Sequence, residues 1–185
     1  MIVYANPAQN HGTALSAMSQ SVPFLKEPEN LEGYVGNVGF DPLGFSESFD
    51  MKWLRESELK HGRAAMLATL GFVVQQFVSL PGMTHVADSN MAPQAAGLES
   101  MLQFVFGIGI IEFWINKGNV TMETMFEDPD RVPGDFGFDP MGLSKSKSPD
   151  QMGKLQLQEL KNGRLAMLAI GGMIHHNFVT GEPLF

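Results

Sequence analysis

The sequence contains no cysteine. Disulfides, thiolate metal sites and thiol nucleophiles are excluded, and the redox state of the compartment stays unread. Positive charge is scarce: 12 Lys and Arg stand against 20 Asp and Glu, for a net charge of -8. Nucleic-acid binding relies on a basic face that neutralises phosphates, so no nucleic-acid partner is expected. The first 22 residues have neither a basic start nor a continuous apolar core, so no signal peptide is expected. If the protein enters an organelle, the chain reads as the processed form. Helical period is also missing from residues 1–38, where Asn, Gln, Ser, Pro and Gly dominate. That stretch reads as an irregular tail.

What is plentiful is Met and Phe, 13 and 14 of 185 residues. They read first as soft core packing and second as the lining of a large apolar ligand. More telling is a repeat. ELKHGRAAMLA at 58–68 returns as ELKNGRLAMLA at 159–169, and GFDPLGFS at 39–46 returns as GFDPMGLS at 137–144. Asp before Pro is pushed out of the α region and glycine permits tight backbone, so each copy predicts an ordered turn leading into a helix. Turn and helix recur in the same order, which points to an internal duplication.

Three apolar helices are expected, at about 50–80, 98–116 and 150–180. Pro81 and Gly82 stop the first, and Gly181 and Pro183 mark the end of the third. From 64 to 80 the polar side chains are Thr69, Gln75, Gln76 and Ser79. A bilayer crossing takes roughly 20 mainly apolar residues. With three crossings, all 12 Lys and Arg lie on one side or in the first turns of the helices rooted there. The stretch 81–97 and the C-terminal tail have none. That asymmetry is the positive-inside pattern, which a soluble bundle has no reason to adopt. The fold class expected is an all-α membrane protein of three transmembrane helices, one domain over residues 1–185.

The repeated motif sets a carboxylate and a guanidinium at the mouth of each long apolar run, where charge is costly and usually functional. Glu58 and Arg63 are five residues apart and point in different directions, so they pair poorly within one helix. Two crossing helices solve this: Glu58 reaches Arg164, and Glu159 reaches Arg63. Gly62 and Gly163 beside these charges let the backbones approach. The prediction is that the first and third helices cross about a pseudo-twofold axis, locked by two reciprocal ion pairs. A structural salt bridge is itself a complete role for these residues.

A carboxylate neutralised by Arg keeps an oxygen lone pair. His61 and Asn162 hold the same place, three residues after Glu58 and Glu159, with Ala65 and Ala68 or Ala166 and Ala169 one and two turns on. Neutral donors above small-residue recesses suit a large planar ring whose central metal wants one axial ligand. Taken singly, His61 and Asn162 read first as hydrogen-bonded interior residues; the repeat of donor, recess and charge pair together favours the ligand role. Gln75 and His176 follow His61 and Asn162 by fourteen residues each, close to four turns, on the same faces. Gln103 and Glu112 are the polar groups of the middle helix; Glu112 has no obvious Arg partner, so a metal or a bound water is a natural neighbour. For Gln75 and Gln103, ordinary interhelical hydrogen bonding is the competing role.

These residues resemble a known family. A Glu-x-x-His/Asn-Gly-Arg-x-Ala-Met helix, present twice with a shorter span between, is similar to the chlorophyll-binding light-harvesting proteins of chloroplast thylakoids. The match covers roughly residues 22–185. The Phe-Asp-Pro-x-Gly turns and His175-His176 resemble the red-lineage branch: fucoxanthin or peridinin chlorophyll a/c proteins, or red-algal antennae of photosystem I. The resemblance implies that Glu58, His61, Glu112, Glu159, Asn162 and His176 ligate chlorophyll magnesium, with Gln75 and Gln103 as further pigment contacts. It implies that Arg63 and Arg164 complete the ion pairs and that the turns hold carotenoid ends. Chlorophyll a, chlorophyll c and carotenoids of the fucoxanthin, diadinoxanthin or peridinin type are the implied cofactors. A photosystem core, photosystem I first, neighbouring antenna subunits and thylakoid lipids are the implied partners, with a stromal N-terminus. A departure from plant antennae is also expected, since little room is left before Phe185 for a last amphipathic helix and its histidine.

The function expected is a non-enzymatic antenna that passes excitation to a photosystem. A photoprotective, energy-dissipating member would carry the same residues. A di-iron carboxylate enzyme is the rival from another class, because Glu58-x-x-His61 has its spacing. Against it, Asn162 replaces the second His, each Glu has a competing Arg, and only two helices bear ligands where four are needed.

Overall fold

A computed structural model describes residues 18–78, 85–86, 88–137, 139, 142 and 147–184. The described residues are helical, with no strand among them; an isolated antiparallel bridge joins Met18 and Lys26. Three long helices dominate: α2 (Met51–Phe77), α4 (Leu98–Ile115) and α5 (Pro149–Thr180). Two short ones, α1 (Phe45–Ser48) and α3 (Ala92–Ala96), precede α2 and α4, and a 3₁₀ turn spans Glu29–Leu31.

The ends of the long helices follow local chemistry. Asp50 caps α2: its Oδ1 accepts the amides of Lys52 at 2.7 Å and Trp53 at 3.1 Å. Pro149 opens α5, where its missing N–H costs nothing. Gly181, at φ 67°, closes α5 by donating its N–H to the Asn177 carbonyl at 2.9 Å. The described part of α2 ends at Phe77, and the expected stop at Pro81-Gly82 lies outside the described residues. The loop expected at 81–97 contains α3, a single turn started by Pro93.

The chain divides into two compact units, one from Met1–Glu58 with Asp130–Lys161, the other from Leu59–Pro129 with Asn162–Phe185. In the first unit, the described part of the expected tail is irregular but pinned. Ser19 Oγ donates to the Gly39 carbonyl, Ser21 Oγ to Val38 O at 2.9 Å, and Asn30 Nδ2 to Ser46 O at 2.8 Å. Arg55 donates to Val35 O at 2.6 Å and lies 5.4 Å over the Tyr34 ring. Residues 1–17 of the expected tail are outside the described set.

The first Asp-Pro turn is an anion-capped helix start. Asp41 accepts the amides of Phe45 at 3.0 Å and Ser46 at 2.8 Å, and the Ser46 hydroxyl as well. Gly39 and Gly44 have φ 68° and 67°, and in the second copy the described Gly137 and Gly142 have φ 66° and 61°. The bond from Gly44 N to Asp41 O at 3.4 Å has its counterpart from Gly142 N to Asp139 O at 3.2 Å. Phe138, Pro140, Met141, Leu143 and Ser144 of that copy lie outside the described residues.

In the second unit, α2 and α5 meet at Gly62 and Gly163. A Cβ built on Gly62 would lie 3.0 Å from Gly163 Cα, and one built on Gly163 would lie 3.0 Å from Gly62 Cα. The contact is nearly symmetric and is made by main chain. Ala65 and Ala166, one turn on from the glycines, are both buried, and Thr69 Oγ1 donates to the carbonyls of Ala65 at 2.8 Å and Ala166 at 3.4 Å. At the far end Ser89 Oγ donates to Phe72 O at 3.0 Å and Asn90 Nδ2 to Ile174 O at 3.1 Å, fixing the segment before α3 to both long helices.

Candidate functional site

The site residues sit on helices whose outer faces are unusually apolar. Leu67, Phe77 and Val78 of α2 and the segment after it are 73%, 65% and 63% exposed; Leu168, Phe178 and Val179, each 101 positions later, are 77%, 81% and 68% exposed. On α4, Phe104, Val105, Phe106, Ile111, Phe113 and Trp114 are exposed too. A soluble fold buries such side chains. Among the described residues α4 is the one helix long and apolar enough to cross a membrane by length and composition. In α2 and α5 charged first halves and interspersed Gly, Gln and His dilute the apolar character.

The nitrogen and oxygen donors named from the sequence lie on or beside these faces. His61 and Asn162 are both exposed, on α2 and α5, at equivalent places next to the Gly62–Gly163 contact. Of the alanines expected to floor their recesses, Ala65 and Ala166 are buried, Ala68 is exposed and Ala169 half-buried. The first pair therefore belongs to the helix interior, and the second borders the outer surface. His175 and His176 are exposed near the end of α5. Gln75, their partner position on α2, is half-buried, and its Nε2 donates to Val86 O at 3.0 Å. That bond orients the amide and leaves Oε1 as its donor atom. Gln103 and Glu112 are exposed on α4; nine residues are about two and a half turns, so they occupy opposite sides of that helix.

The charged residues are more crowded than the sequence implied. Glu58 and Glu159 belong to the first unit, Arg63 and Arg164 to the second; all four are half-buried and engaged by other groups. Glu58 Oε2 also has a local partner, Arg55 Nη1 at 2.8 Å. The expected scheme omitted Arg55; three residues earlier on the same helix, it was visible as an i,i+3 pair. Glu112, expected without an Arg, has a cation from α2 instead: Lys60 Nζ lies 3.1 Å from its Oε1. That pair has no signature in sequence spacing.

Glu56 is a further buried carboxylate. It is 2% exposed, accepts the Gly134 amide, and has Arg131 Nη2 at 3.6 Å. It ties the stretch after α4 to the start of α2 within the first unit, a structural duty.

The donor set is imidazole, amide and carboxylate, one at each place. This fits a ring-bound magnesium, a hard cation whose single axial position accepts oxygen or nitrogen. Among the described residues no three His, Asp or Glu side chains gather to hold a bare ion.

The model of the chlorophyll A-B binding protein family matches residues 27–178. A fucoxanthin-chlorophyll a-c binding protein of Chattonella marina var. antiqua is 35% identical over 182 residues, covering 95% of this chain and 81% of its own length. One from Isochrysis galbana is 41% identical over 156 residues, covering 77% and 73%. Light-harvesting complex stress-related protein 1 of Chlamydomonas reinhardtii is 35% identical over 162 residues, covering 79% and 62%. With the doubled motif, the repeated turns and the glycine contact on one chain, the protein belongs to the chlorophyll-binding light-harvesting family.

Proposed function

We propose that this chain is a light-harvesting antenna subunit of the chloroplast thylakoid, built as one domain with α2, α4 and α5 as three transmembrane helices and its N-terminus in the stroma. Glu58, His61, Glu112, Glu159, Asn162 and His176 hold chlorophyll magnesium, and Gln75 and Gln103 add further pigment contacts. Chlorophyll a and c, with carotenoids of the fucoxanthin, diadinoxanthin or peridinin type, are the pigments. Photosystem I and neighbouring antenna subunits receive the excitation. When bound, chlorophyll supplies absorption and electronic coupling to its neighbours, and carotenoid supplies blue-green absorption and triplet quenching.

One observation carries this reading: single neutral donors at equivalent places on two helices whose outer faces expose large apolar side chains at equivalent places. Each donor fixes the position and tilt of one ring, and the apolar faces exclude water from it. Glu58 with Arg164 and Glu159 with Arg63 are proposed to neutralise the two ligand carboxylates. The duplicated motif and the Gly62–Gly163 contact support that pairing.

Purified protein is tested by absorption spectroscopy and pigment extraction. We expect chlorophyll a, chlorophyll c and a xanthophyll in fixed ratio; a colourless protein overturns the reading. His61→Ala should lose about one chlorophyll with the fold intact, as loss of a single axial ligand implies. Arg63→Leu should block assembly. Equal pigment content in His61→Ala and the parent counts against the ligand assignment. The stress-related relative favours a second reading, a subunit that dissipates excitation. Fluorescence lifetime, isolated and photosystem-bound, separates the two: an antenna keeps a long lifetime when isolated, a dissipator does not.

A further inference from the structure

The middle helix carries a charge problem that its own sequence does not solve. In α4 the ionisable side chains are Glu99 and Glu112, with no cation. Glu112 is half exposed on a helix that otherwise presents Phe, Ile, Val and Trp. A carboxylate ligand without a counter-charge would leave a net negative site in a medium of low dielectric. The nearest cation along the chain, Lys117, follows the end of the helix. The ammonium that meets Glu112 comes from α2: Lys60 Nζ is 3.1 Å from Oε1, with the Lys60 side chain 23% exposed.

We propose that Lys60 is the positioning residue of the middle-helix chlorophyll site. The inference rests on the reading of Glu112 as a magnesium ligand. Lys60 supplies the counter-charge to Glu112, occupies Oε1 and leaves Oε2 to the metal. As an ammonium it has no lone pair and cannot itself ligate. Its place in the motif, between Glu58 and His61, makes the Glu112 site a neighbour of the His61 site through one side chain. The copy in α5 is Lys161, exposed and paired with no carboxylate among the described residues. The duplicated motif thus has its lysine twice and its carboxylate partner once, so this ion pair breaks the pseudo-twofold symmetry.

The test is pigment stoichiometry of the full chain assembled with chlorophylls and carotenoid, with helix content followed by circular dichroism. Glu112→Ala and Lys60→Met should each lose about one chlorophyll per polypeptide, while Lys60→Arg keeps the parental number. The deciding variant combines Lys60→Met with Glu112→Gln. A neutral amide oxygen ligates without a counter-charge, so the double variant should regain the chlorophyll that Lys60→Met loses. If Glu112→Ala keeps its full complement, the ligand reading falls and this inference with it. If Glu112→Ala loses one chlorophyll but Lys60→Met does not, the ligand reading stands and the role of Lys60 is overturned. A double variant that stays one short also overturns it, because Lys60 is then a helix staple. Should Lys60→Met fail to assemble, recovery in the double variant supports the proposal and continued failure overturns it.

Discussion

At the scale of single residues, Asp41 shows how a turn is stabilised by ionisation. Burial alone pushes its carboxyl up, but the Ser46 hydroxyl and the amides of Ser46, Phe45 and Gly44 outweigh burial and hold it below the ordinary 3.8. A group depressed in the folded state contributes stability that is present above its unfolded value. That contribution is lost as pH falls through the lower folded value. Acidification below pH 3.8 should therefore loosen the turn at 39–46, and Asp41→Asn should remove that pH dependence. Protease susceptibility of the 39–46 segment against pH checks both. Glu56 makes a different prediction. Glu56→Ala removes an acceptor from the Gly134 amide and a carboxylate 3.6 Å from the Arg131 guanidinium, with an expected cost of about 1–3 kcal/mol. Earlier cleavage in the 130–137 stretch would register it; an unchanged denaturation midpoint would refute it.

At the scale of elements, the contact of α2 with α5 is decided by two glycines. A methyl on either meets main chain at 3.0 Å, which cannot yield as a side chain does, so the helices must part. Overpacking of this kind typically costs about 1–3 kcal/mol. Gly62→Ala and Gly163→Ala should impair assembly to nearly the same extent. Gly71→Ala, with nothing within 4 Å, should not impair helix formation. Unequal effects at the two crossing glycines would show that the symmetry is only apparent. Much of this was legible in the sequence. The three long helices, the start near Asp50, the end at Gly181, the glycine approach and the first Asp-Pro turn follow from short-range chemistry and from the repeat. Lys60 with Glu112 and Glu56 with Gly134 were not legible, since each joins residues distant in sequence with no shared spacing. The burial of Ala65 and Ala166 against the exposure of Ala68 was not legible either, because periodicity gives a residue's direction but not which neighbour covers it.

At the scale of the molecule, so many large apolar side chains face outward that the polypeptide alone has little to hold its helices together. In detergent without pigments the crossing should loosen, while α4, whose backbone bonds are internal, stays helical. Spin labels at positions 67 and 168 should report a broad distance distribution before pigment is added and a narrow one afterwards. A narrow distribution in the pigment-free chain would contradict this. The Gly62–Gly163 meeting has one more effect. A pivot made from main chain has no rotamers to switch between, so it lacks discrete settings. Cooling or compression can only slide the two rods by degrees, and the colour of an assembled complex should drift continuously with temperature instead of jumping between bands.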